Sequence, residues 1–478
     1  MPDNDQKTKG LGELFDYPLL SAMRQRRTRR ISQGTSLEAG ELSHHSQNDP
    51  KPLSPLEEAV LIVCTGLTGP IMHDGPLVMP DGGEELGTPM LNAIGRTASS
   101  ADNAQATSFF MINDEGIWLL RRPSDRQALD MFAELPPKWE DWKDADWLAA
   151  ADAVKVKVHD GRLEFPRRFP YYLGWNKQMS NRPGTTVFLP VVDCTRAVIN
   201  IMLILLSEPD GQRPLFLDDW SAFRPKDVMG GLAALASFLG LLPTEIAYQP
   251  VGGLKWARDD FLNNEINIPL GLGHAWRVDY EAYFLLQNLM LVGQGIGLGG
   301  WIHAAVPSPY VFQRDEQAGL LGLGFRTMEP EKNWKTYPPL PAPLPNPVGL
   351  DGLLEGVCPP YVDSMDEAVD RVLEDKYQKV MYGDQEVFAA PYNQTGHAEE
   401  FLRNAARFSP KAVEYVKVIC NYIFDTYGRF PAHVDAFFTP GIWLQFHHLE
   451  LEYYQKYYKP SQFERQARHA QAWDQLED

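Results

Sequence analysis

Five arginines lie within seven residues near the start of the chain, in the segment RQRRTRRISQG that spans residues 24–34. An arginine side chain makes paired, charge-assisted hydrogen bonds with phosphate oxygens, so two or three arginines can hold one phosphate dianion. Three interpretations are open: a nucleic-acid or targeting tail, the solvated end of a helix, or a pocket for one concentrated anion. For this segment taken alone, a solvated basic patch is the commoner explanation.

Two further segments carry residue types that bind ligands. The segment RTASSADNAQATSFFMI (96–112) places small and amide side chains in a loop before a predicted strand, and QNLMLVGQGIGLGGWIHAA (287–305) contains five glycines. Polar groups on a loop beside a rigid scaffold are often functional. An Asx-rich turn that caps the strand is nevertheless the preferred explanation of the first segment when it is taken alone.

The glycine-rich segment does not fit a dinucleotide-binding fingerprint. That fingerprint follows a strand and opens a helix. Here an apolar helical pattern comes before the glycines, and the predicted strand WIHAAV follows them. A glycine turn in this position would let the backbone approach a flat ligand closely.

Composition limits the class of protein. The 478 residues are 44% hydrophobic and carry a net charge of -19, which argues against nucleic-acid binding because a phosphate backbone needs a basic face. We find no signal-peptide pattern and no uninterrupted apolar run near the roughly 20 residues that a membrane helix needs. The four cysteines are far apart and form no CxxC pair, so we expect a cytoplasmic protein without a disulfide framework or a membrane partner. They are Cys64, Cys194, Cys358 and Cys420.

The hydrophobic periodicity predicts an α+β fold. The segments 108–112 and 185–193 read as buried strands, and GIWLLRR (116–122) reads as the hairpin partner of the first. We expect a mixed sheet flanked by helices. The predicted helices span 54–66, 227–242 and 281–296.

Changes in composition divide the chain into four parts. Residues 1–18 are expected to form a flexible tail, 19–335 the core and 336–347 a proline-rich connector. Residues 348–478 read as a mostly helical C-terminal region packed on the core. Large aromatic residues at near-helical spacing along 443–458 indicate core or a subunit interface more than a cofactor site.

The order of the three ligand-type segments resembles that of the FMN-dependent nitroreductases. The family's Arg-Arg-Ser/Thr-x-Arg motif is similar to RRTRR (26–30). Its Pro-Ser-Ser-x-Asn-x-Gln-Pro-Trp-x-Phe motif is similar to ASSADNAQATSFF (98–110), with one extra residue and with Ala98 in place of the proline. Its Asn-Leu-x-Leu-Ala-Ala-x-x-x-Gly-Leu-Gly motif is similar to NLMLVGQGIGLGG (288–300). The Arg-Thr-Ala-x-Ser start at 96–100 is also similar to the peptide-azoline dehydrogenase branch.

The resemblance implies a nitroreductase-like core with bound FMN and a homodimer, because the flavin sites of this family lie at a subunit interface. It implies ping-pong hydride transfer through flavin N5, with NADH or NADPH as electron donor and a small molecule or a peptide as acceptor. Arg29 would point away from the ligand or hold a dimer neighbour. The positions carried over as cofactor-binding are Arg26, Arg27, Thr28 and Arg30 for the phosphate; Ser99, Ser100, Asn103 and Gln105 along the flavin; His303, Ala304 and Ala305 over the ring; and Arg326 as a late basic contact.

The resemblance names no catalytic nucleophile, because hydride transfer needs no acid or base from the protein. His303 is the one titratable group beside the expected ring face, and a core histidine in an apolar strand explains it equally well. No metal site is expected, since the C-terminal histidines 447 and 448 are adjacent and no HxxxH pair exists. Two functions therefore stay open: a flavin oxidoreductase, or a non-catalytic binding protein of the same fold that has lost FMN.

Overall fold

A seven-stranded sheet surrounded by helices organises the computed structural model. The structure describes residues 6–73, 77–78, 84–85, 90–219, 249–271, 278–315, 320–328, 345–381, 383–405, 407–435 and 441–474, with isolated positions at 236, 239 and 241. The protein is therefore α+β, as predicted. Most of the predicted helix 227–242 and most of the connector 336–347 lie outside the described residues.

Helices occur throughout the described part of the chain. They are α1 (Lys9–Phe15), α2 (Leu19–Gln25), α3 (Pro55–Cys64), α4 (Asp125–Glu134), α5 (Asp144–Asp152), α6 (Thr195–Leu205), α7 (Leu254–Ala257), α8 (Tyr280–Ile296), α9 (Ser308–Phe312), α10 (Met365–Glu374), α11 (Gln385–Ala389), α12 (Thr395–Asn404), α13 (Pro410–Tyr427), α14 (Leu451–Tyr457), α15 (Glu464–Ala467) and α16 (His469–Trp473). A π-helical segment, Asp375–Met381, continues α10. Each helix among the described residues is too short or too polar to span a lipid bilayer.

The main sheet has the strand order β12-β19-β8-β5-β6-β7, and β18 also pairs with β8. Its strands are β5 (Thr107–Ile112), β6 (Gly116–Leu120), β7 (Lys155–Asp160), β8 (Thr186–Asp193), β12 (Gly299–His303), β18 (His433–Asp435) and β19 (Trp443–His447). The remaining strands form small sheets: β1 (Leu67–Pro70), β2 (Leu77–Val78), β3 (Glu84–Glu85), β4 (Ile94–Arg96), β9 (Pro214–Asp218), β10 (Gln249–Pro250), β11 (Asn263–Pro269), β13 (Arg314–Asp315), β14 (Leu320–Leu321), β15 (Arg326–Met328), β16 (Asn346–Leu350) and β17 (Leu354–Glu355).

The predicted β5–β6 hairpin and the predicted start of helix α3 at Ser54 are confirmed. β5 and β6 pair antiparallel with Ile112 opposite Ile117. Alternate residues of β5 enter two apolar layers, since Phe109 packs with α3 and α8 whereas Phe110 packs on the opposite face. Helix α3 begins at a capping box in which the Ser54 hydroxyl and the Glu57 carboxylate satisfy each other's backbone N–H groups.

The expected mixed sheet is wrong, because all described pairings of the seven-stranded sheet are antiparallel. The reason is the position of β19. This C-terminal strand lies between β12 and β8 and runs opposite to both, so two strands that share one direction never become neighbours.

The C-terminal region contains helices α10–α16, as expected, but it also contributes two strands to the central sheet. Residues 443–447, where the aromatic spacing suggested a helix, form strand β19, and Trp443 and Phe446 are buried. β18 covers the rest of the same edge of β8, with His433 opposite Asp193. The core therefore needs the C-terminal strands to be complete.

The N-terminal segment also differs from the expected tail. Residues 9–15 form helix α1, whose Leu11 is fully buried. Gly10 lies against the indole of Trp473 near the other end of the chain, so closely that an added Cβ atom would overlap the ring. Arg465 and Glu13 form an ion pair at 2.8 Å. The two ends of the chain thus pack against each other.

Candidate functional site

The arginine segment is held extended beside β12 by its own buried member, Arg29. The backbone N–H of Arg29 donates to the carbonyl of Gly300 at 3.3 Å. Its Nη1 donates to Oε1 of Gln294 at 3.0 Å, and its Nε donates to the carbonyl of Gln462 at 2.9 Å. Burial lowers the pKa of Arg29 to about 10. Arg29 therefore points inward, away from the surface on which Arg27 and Arg30 are exposed, and its guanidinium bonds to Gln294 and Gln462 of its own chain.

The neighbouring arginines remain available to a ligand. Thr28 and Arg30 are exposed because side chains alternate along an extended segment, and Arg30 lies 5.8 Å from the ring centre of Trp301. Nη1 of Arg27 donates to the backbone carbonyls of Arg24 and Arg26. Within the described part of the chain, no carboxylate forms an ion pair with any of these exposed arginines. Several positive charges thus lie within one short segment without an ion-pair partner among the described residues.

The second predicted segment forms a strained loop before β5. Asp102, Asn103 and Gln105 have positive φ angles of 48°, 49° and 52°. Each such residue costs of order 1–3 kcal/mol, a strain that is found most often where a loop is shaped for a ligand or a reaction. Asn92 and Asn103 hold the loop through reciprocal bonds to each other's backbone, including Asn103 Nδ2 to the Asn92 carbonyl at 2.6 Å.

A buried lysine supports the loop from behind. Nζ of Lys376, in the π-helical segment, donates to Oδ1 of Asn200 at 2.6 Å, and Nδ2 of Asn200 donates to Oδ2 of Asp102 at 2.7 Å. Lys376 is fully buried, and this burial lowers its pKa to about 8. The sequence offered no signal for this pair, because nothing in the local pattern marks a buried lysine.

Some of the side chains that were expected to line the flavin already form hydrogen bonds within the protein. Ser100 donates to Oε1 of the buried Glu281 at 2.5 Å. Asn103 is buried in the bonds to Asn92 and Ile94. Ser99 is exposed, and Gln105 is half-buried at the rim of a cavity, where its Nε2 donates one hydrogen bond to Oδ1 of Asn103 at 2.5 Å. Of the four predicted residues, Ser99 and Gln105 are thus the ones best placed to meet a ligand.

The cavity beside Gln105 contains basic residues that the sequence analysis did not assign. Its volume is about 260 Å³, below the roughly 300–1,000 Å³ of typical ligand pockets, so it suits part of a ligand. Asp193 and Glu355 offset some of the positive charge. The basic residues in its lining are Arg121, Arg122 and Arg196. The sequence signal that could have indicated this cavity is the pair Arg121 and Arg122, which directly follows strand β6.

Within a single chain, the arginine segment and the strained loop contact different parts of α8. Arg29 contacts Gln294 near the end of α8, whereas Ser100 contacts Glu281 near its start. Glu281 and Gln294 are thirteen positions apart, about 20 Å at 1.5 Å per residue, and Thr97 contacts Asn288 between them. A ligand that touches both segments must therefore lie between two copies of the chain or extend along the helix.

The glycine turn is filled by the chain itself. A Cβ atom on Gly293 would overlap the ring of Phe446, and one on Gly299 would lie 2.6 Å from Nε2 of His447. Gly297 ends α8 with a φ of +98°, which an L side chain rarely adopts. These glycines make room for β19 and for the helix end, so the expectation that they admit a flat ligand was wrong.

The residues after the turn are covered as well. The carbonyl of Ala304 accepts from Nδ2 of Asn176 at 3.0 Å, and that of Ala305 accepts from the N–H of Leu173 at 2.7 Å. His303 is buried between Trp301 and Trp443, and its ring nitrogens bond to no residue that the structure describes. Burial lowers the pKa of His303 to about 3. His303 is thus a neutral core histidine and is no longer a candidate for catalysis.

Arg326 lies in a different environment from the one the resemblance implied. It is exposed in β15, 3.8 Å from Oδ1 of Asp351 and above the ring of Tyr361 at 5.7 Å. A nearby carboxylate already neutralises it, which makes it a poor phosphate ligand.

No protein-family model matches this chain, and no curated protein shows significant similarity to it. The function must therefore be inferred from the site itself.

Proposed function

We propose that this protein is an FMN-dependent oxidoreductase that acts as a homodimer. The observation that carries the proposal is the arginine segment: Arg29 fixes its backbone, while Arg26, Arg27 and Arg30 are left without acidic partners among the described residues. In a chain of net charge -19, such a concentration of positive charge indicates a ligand with a compact negative group.

The phosphate end of FMN fits these residues. Guanidinium groups and the Thr28 hydroxyl donate hydrogen bonds, and a phosphate offers oxygens in the spacing that a guanidinium fork matches. Each charge-assisted hydrogen bond contributes about 1.5–3 kcal/mol. Two such bonds suffice for micromolar binding when the ring adds apolar contact.

The ring end is better served by a second copy of the chain than by the glycine turn. The contact of the strained loop with Glu281 and that of the arginine segment with Gln294 lie about 20 Å apart along α8. Exposed apolar residues lie along α2 and α8, two helices that contact each other next to the arginine segment. They are Leu19, Leu20, Met23, Tyr283 and Phe284. Pairing of this surface would bury them and bring one protomer's loop towards its partner's arginines.

Bound FMN supplies hydride transfer at N5, between NADH or NADPH and a second substrate that is a small organic molecule or a peptide. The protein's own residues bind and orient the cofactor and stabilise negative charge. Gln105 and Arg121 are donors of the type that a reduced flavin needs near N1 and the C2 carbonyl, whereas Arg122 and Arg196 pair with Asp125 and Asp375. His303 contributes no proton, because its pKa of about 3 leaves it neutral at physiological pH.

One observation favours a second candidate function. Phe446 and His447 occupy the glycine turn, where a flavin ring was expected. A protein of this kind that has lost FMN and binds another anionic partner through the arginines would have the same structure. The two candidates differ in one property that is simple to measure: only the first carries a flavin.

The visible absorbance of the purified protein distinguishes the two candidate functions. The purified protein is expected to show the bands of oxidised flavin and to release FMN on heating. A colourless protein that gains no flavin absorbance when FMN is added and excess is removed would reject the oxidoreductase and leave the binding function.

A further inference from the structure

Three buried side chains from distant parts of the sequence meet behind the arginine segment. Glu57 lies in the first turn of α3, His448 directly follows β19, and His469 begins α16. Their exposed fractions are 1%, 6% and 7%. One potential ligand atom from each lies within 4.8 Å of the other two. We call these residues the Glu57 cluster.

Neighbouring backbone groups orient two of these side chains as they orient metal ligands. Nδ1 of His469 lies 3.2 Å from the carbonyl of Ile296, so donation of the Nδ1 proton leaves the Nε2 lone pair facing Glu57. Oε2 of Glu57 accepts from the backbone N–H of Ser54 at 2.6 Å. A ligating histidine typically donates its other ring N–H to a carbonyl or a carboxylate.

The contacts inside the cluster are close but incompletely hydrogen-bonded. Nε2 of His448 lies 3.3 Å from Oε2 of Glu57, and Nε2 of His469 lies 2.7 Å from Oε1. That second pair is not aligned as a hydrogen bond, and neither atom has another hydrogen-bond partner among the described residues. Two imidazole nitrogens and one carboxylate thus face one another with a single hydrogen bond, from His448 to Glu57, aligned among them.

We propose that Glu57, His448 and His469 bind one divalent transition-metal ion, with Zn²⁺ as the best match. Two imidazoles and one carboxylate are the His₂Glu ligand set of zinc proteins. Ligand atoms about 2.0–2.1 Å from a tetrahedral zinc ion are about 3.3 Å apart, which the His448–Glu57 pair already satisfies. Nε2 of His469 lies 2.7 Å from the other carboxylate oxygen, Oε1, so a tetrahedral ion held by that pair requires the two atoms to move apart by about 0.6 Å.

The site has a consequence for the arginine segment. The carbonyl of His448 accepts from the N–H of Gln33 at 2.9 Å, and the N–H of Glu450 donates to the carbonyl of Ile31 at 3.1 Å. Residues 448–450, which include the ligand His448, are therefore hydrogen-bonded to the residues that follow the arginines. A bound ion would fix α3, residues 448–450 and α16 together and stiffen the anion site, although the ion itself does not depend on the proposed flavin.

A second acid–histidine group provides a matched control. His44 lies 3.6 Å from Oε1 of the buried Glu450, with the exposed Glu452 nearby. The oxygens of Glu450 already accept from the N–H of Gly34, the hydroxyl of Ser46 and Nδ2 of Asn48. This carboxylate is satisfied by hydrogen bonds and needs no cation.

The test is the metal content of the full chain. Wild type, His469→Gln and His44→Gln are freed of metal with a chelator, incubated with excess Zn²⁺, dialysed and analysed by mass spectrometry. We expect about one zinc per chain in wild type and His44→Gln, and at least a tenfold lower content in His469→Gln. The thermal midpoint of wild type is expected to rise on zinc addition, while that of His469→Gln stays unchanged.

Equal zinc content in wild type and His469→Gln, or loss of zinc in His44→Gln alone, would overturn the proposal. If His469→Gln fails to fold, the deciding experiment is Co²⁺ binding to the wild-type protein alone. Absorption bands of four-coordinate Co²⁺ that Zn²⁺ then displaces support the site, and metal-free wild type that takes up no Co²⁺ rules it out. FMN absorbance is recorded in parallel, so failure of the metal site and failure of the flavin proposal remain distinguishable.

Discussion

Phe446 of strand β19 packs against Gly293 of the long helix α8, so closely that any side chain at position 293 would overlap its ring. This contact joins the C-terminal strand to the helix before the glycine turn. It explains why a glycine occupies a helix interior, where glycine is normally unfavourable by about 1 kcal/mol relative to alanine.

Gly293→Ala is expected to destabilise the protein by about 1–3 kcal/mol, because overpacking outweighs the gain in helix propensity. Chemical denaturation measures the change. Phe446→Leu should relieve part of the cost in the double variant. Gly12→Ala is the control: Gly12 lies within helix α1 with no atom near its missing Cβ, and its substitution should be neutral or stabilising. Equal stability of Gly293→Ala and wild type would contradict the packing account.

Truncation of the chain at residue 348 should abolish folding. The truncated chain lacks β18 and β19, which cover one edge of β8, and it exposes the apolar faces that Trp443 and Phe446 bury. Solubility and circular dichroism measure the outcome. Co-expression of residues 348–478 as a separate chain should restore some soluble complex. A folded, soluble truncated protein would show that the sheet is complete without its C-terminal strands.

The buried Lys376 predicts a rise of stability with pH. Its pKa is about 8 in the folded protein against 10.5 when unfolded, so between these values the unfolded chain binds more protons and stability increases with pH. From pH 8 to 9.5 the contribution is about 1.5 kcal/mol. Denaturation of Lys376→Met should lack this increment. Lys379→Met, which alters an exposed lysine of the same π-helical segment, should keep it. The same slope in all three proteins would reject the buried, shifted lysine.

Arg29 and Arg30 are expected to differ in what they do. Arg29→Met removes a guanidinium that satisfies Gln294 and the Gln462 carbonyl, so it should cost about 2–4 kcal/mol of stability. Arg30→Ala removes an exposed side chain and should change stability by less than about 0.5 kcal/mol while it weakens anion binding. Thermal denaturation and ligand titration of both variants separate the roles. Identical profiles would show that the segment is not divided in this way.

Local patterns predicted those elements whose signals lie within one segment. The Ser54–Glu57 capping box, the β5–β6 hairpin and the apolar run of β8 each carry their signal within about ten residues, and the structure has all three. The three segments of the predicted site were likewise visible as residue types in order. What no local pattern showed is which residues of these segments remain free to bind a ligand.

The features that were missed depend on distant partners. Strand β19 has aromatic residues that suit a helix as well as a strand, and only its place between β12 and β8 decides. Gly293 and Gly299 look like a ligand turn until Phe446 and His447 are placed against them. Arg29 differs from its neighbours only because alternation along an extended segment turns it inward, which sequence alone did not reveal.

Titration of the purified protein with FMN tests the central claim most directly. Wild type, Arg27→Ala and Arg24→Ala are titrated by fluorescence quenching at one fixed salt concentration, because phosphate binding is screened by ions. Arg24 is the matched control, since it is an exposed arginine of the same cluster that the proposal does not assign to the phosphate. We predict that wild type binds FMN, that Arg27→Ala loses about tenfold or more in affinity through one or two missing charge-assisted bonds, and that Arg24→Ala changes little. Wild type that binds no FMN, or equal affinity in wild type and Arg27→Ala, would contradict the account.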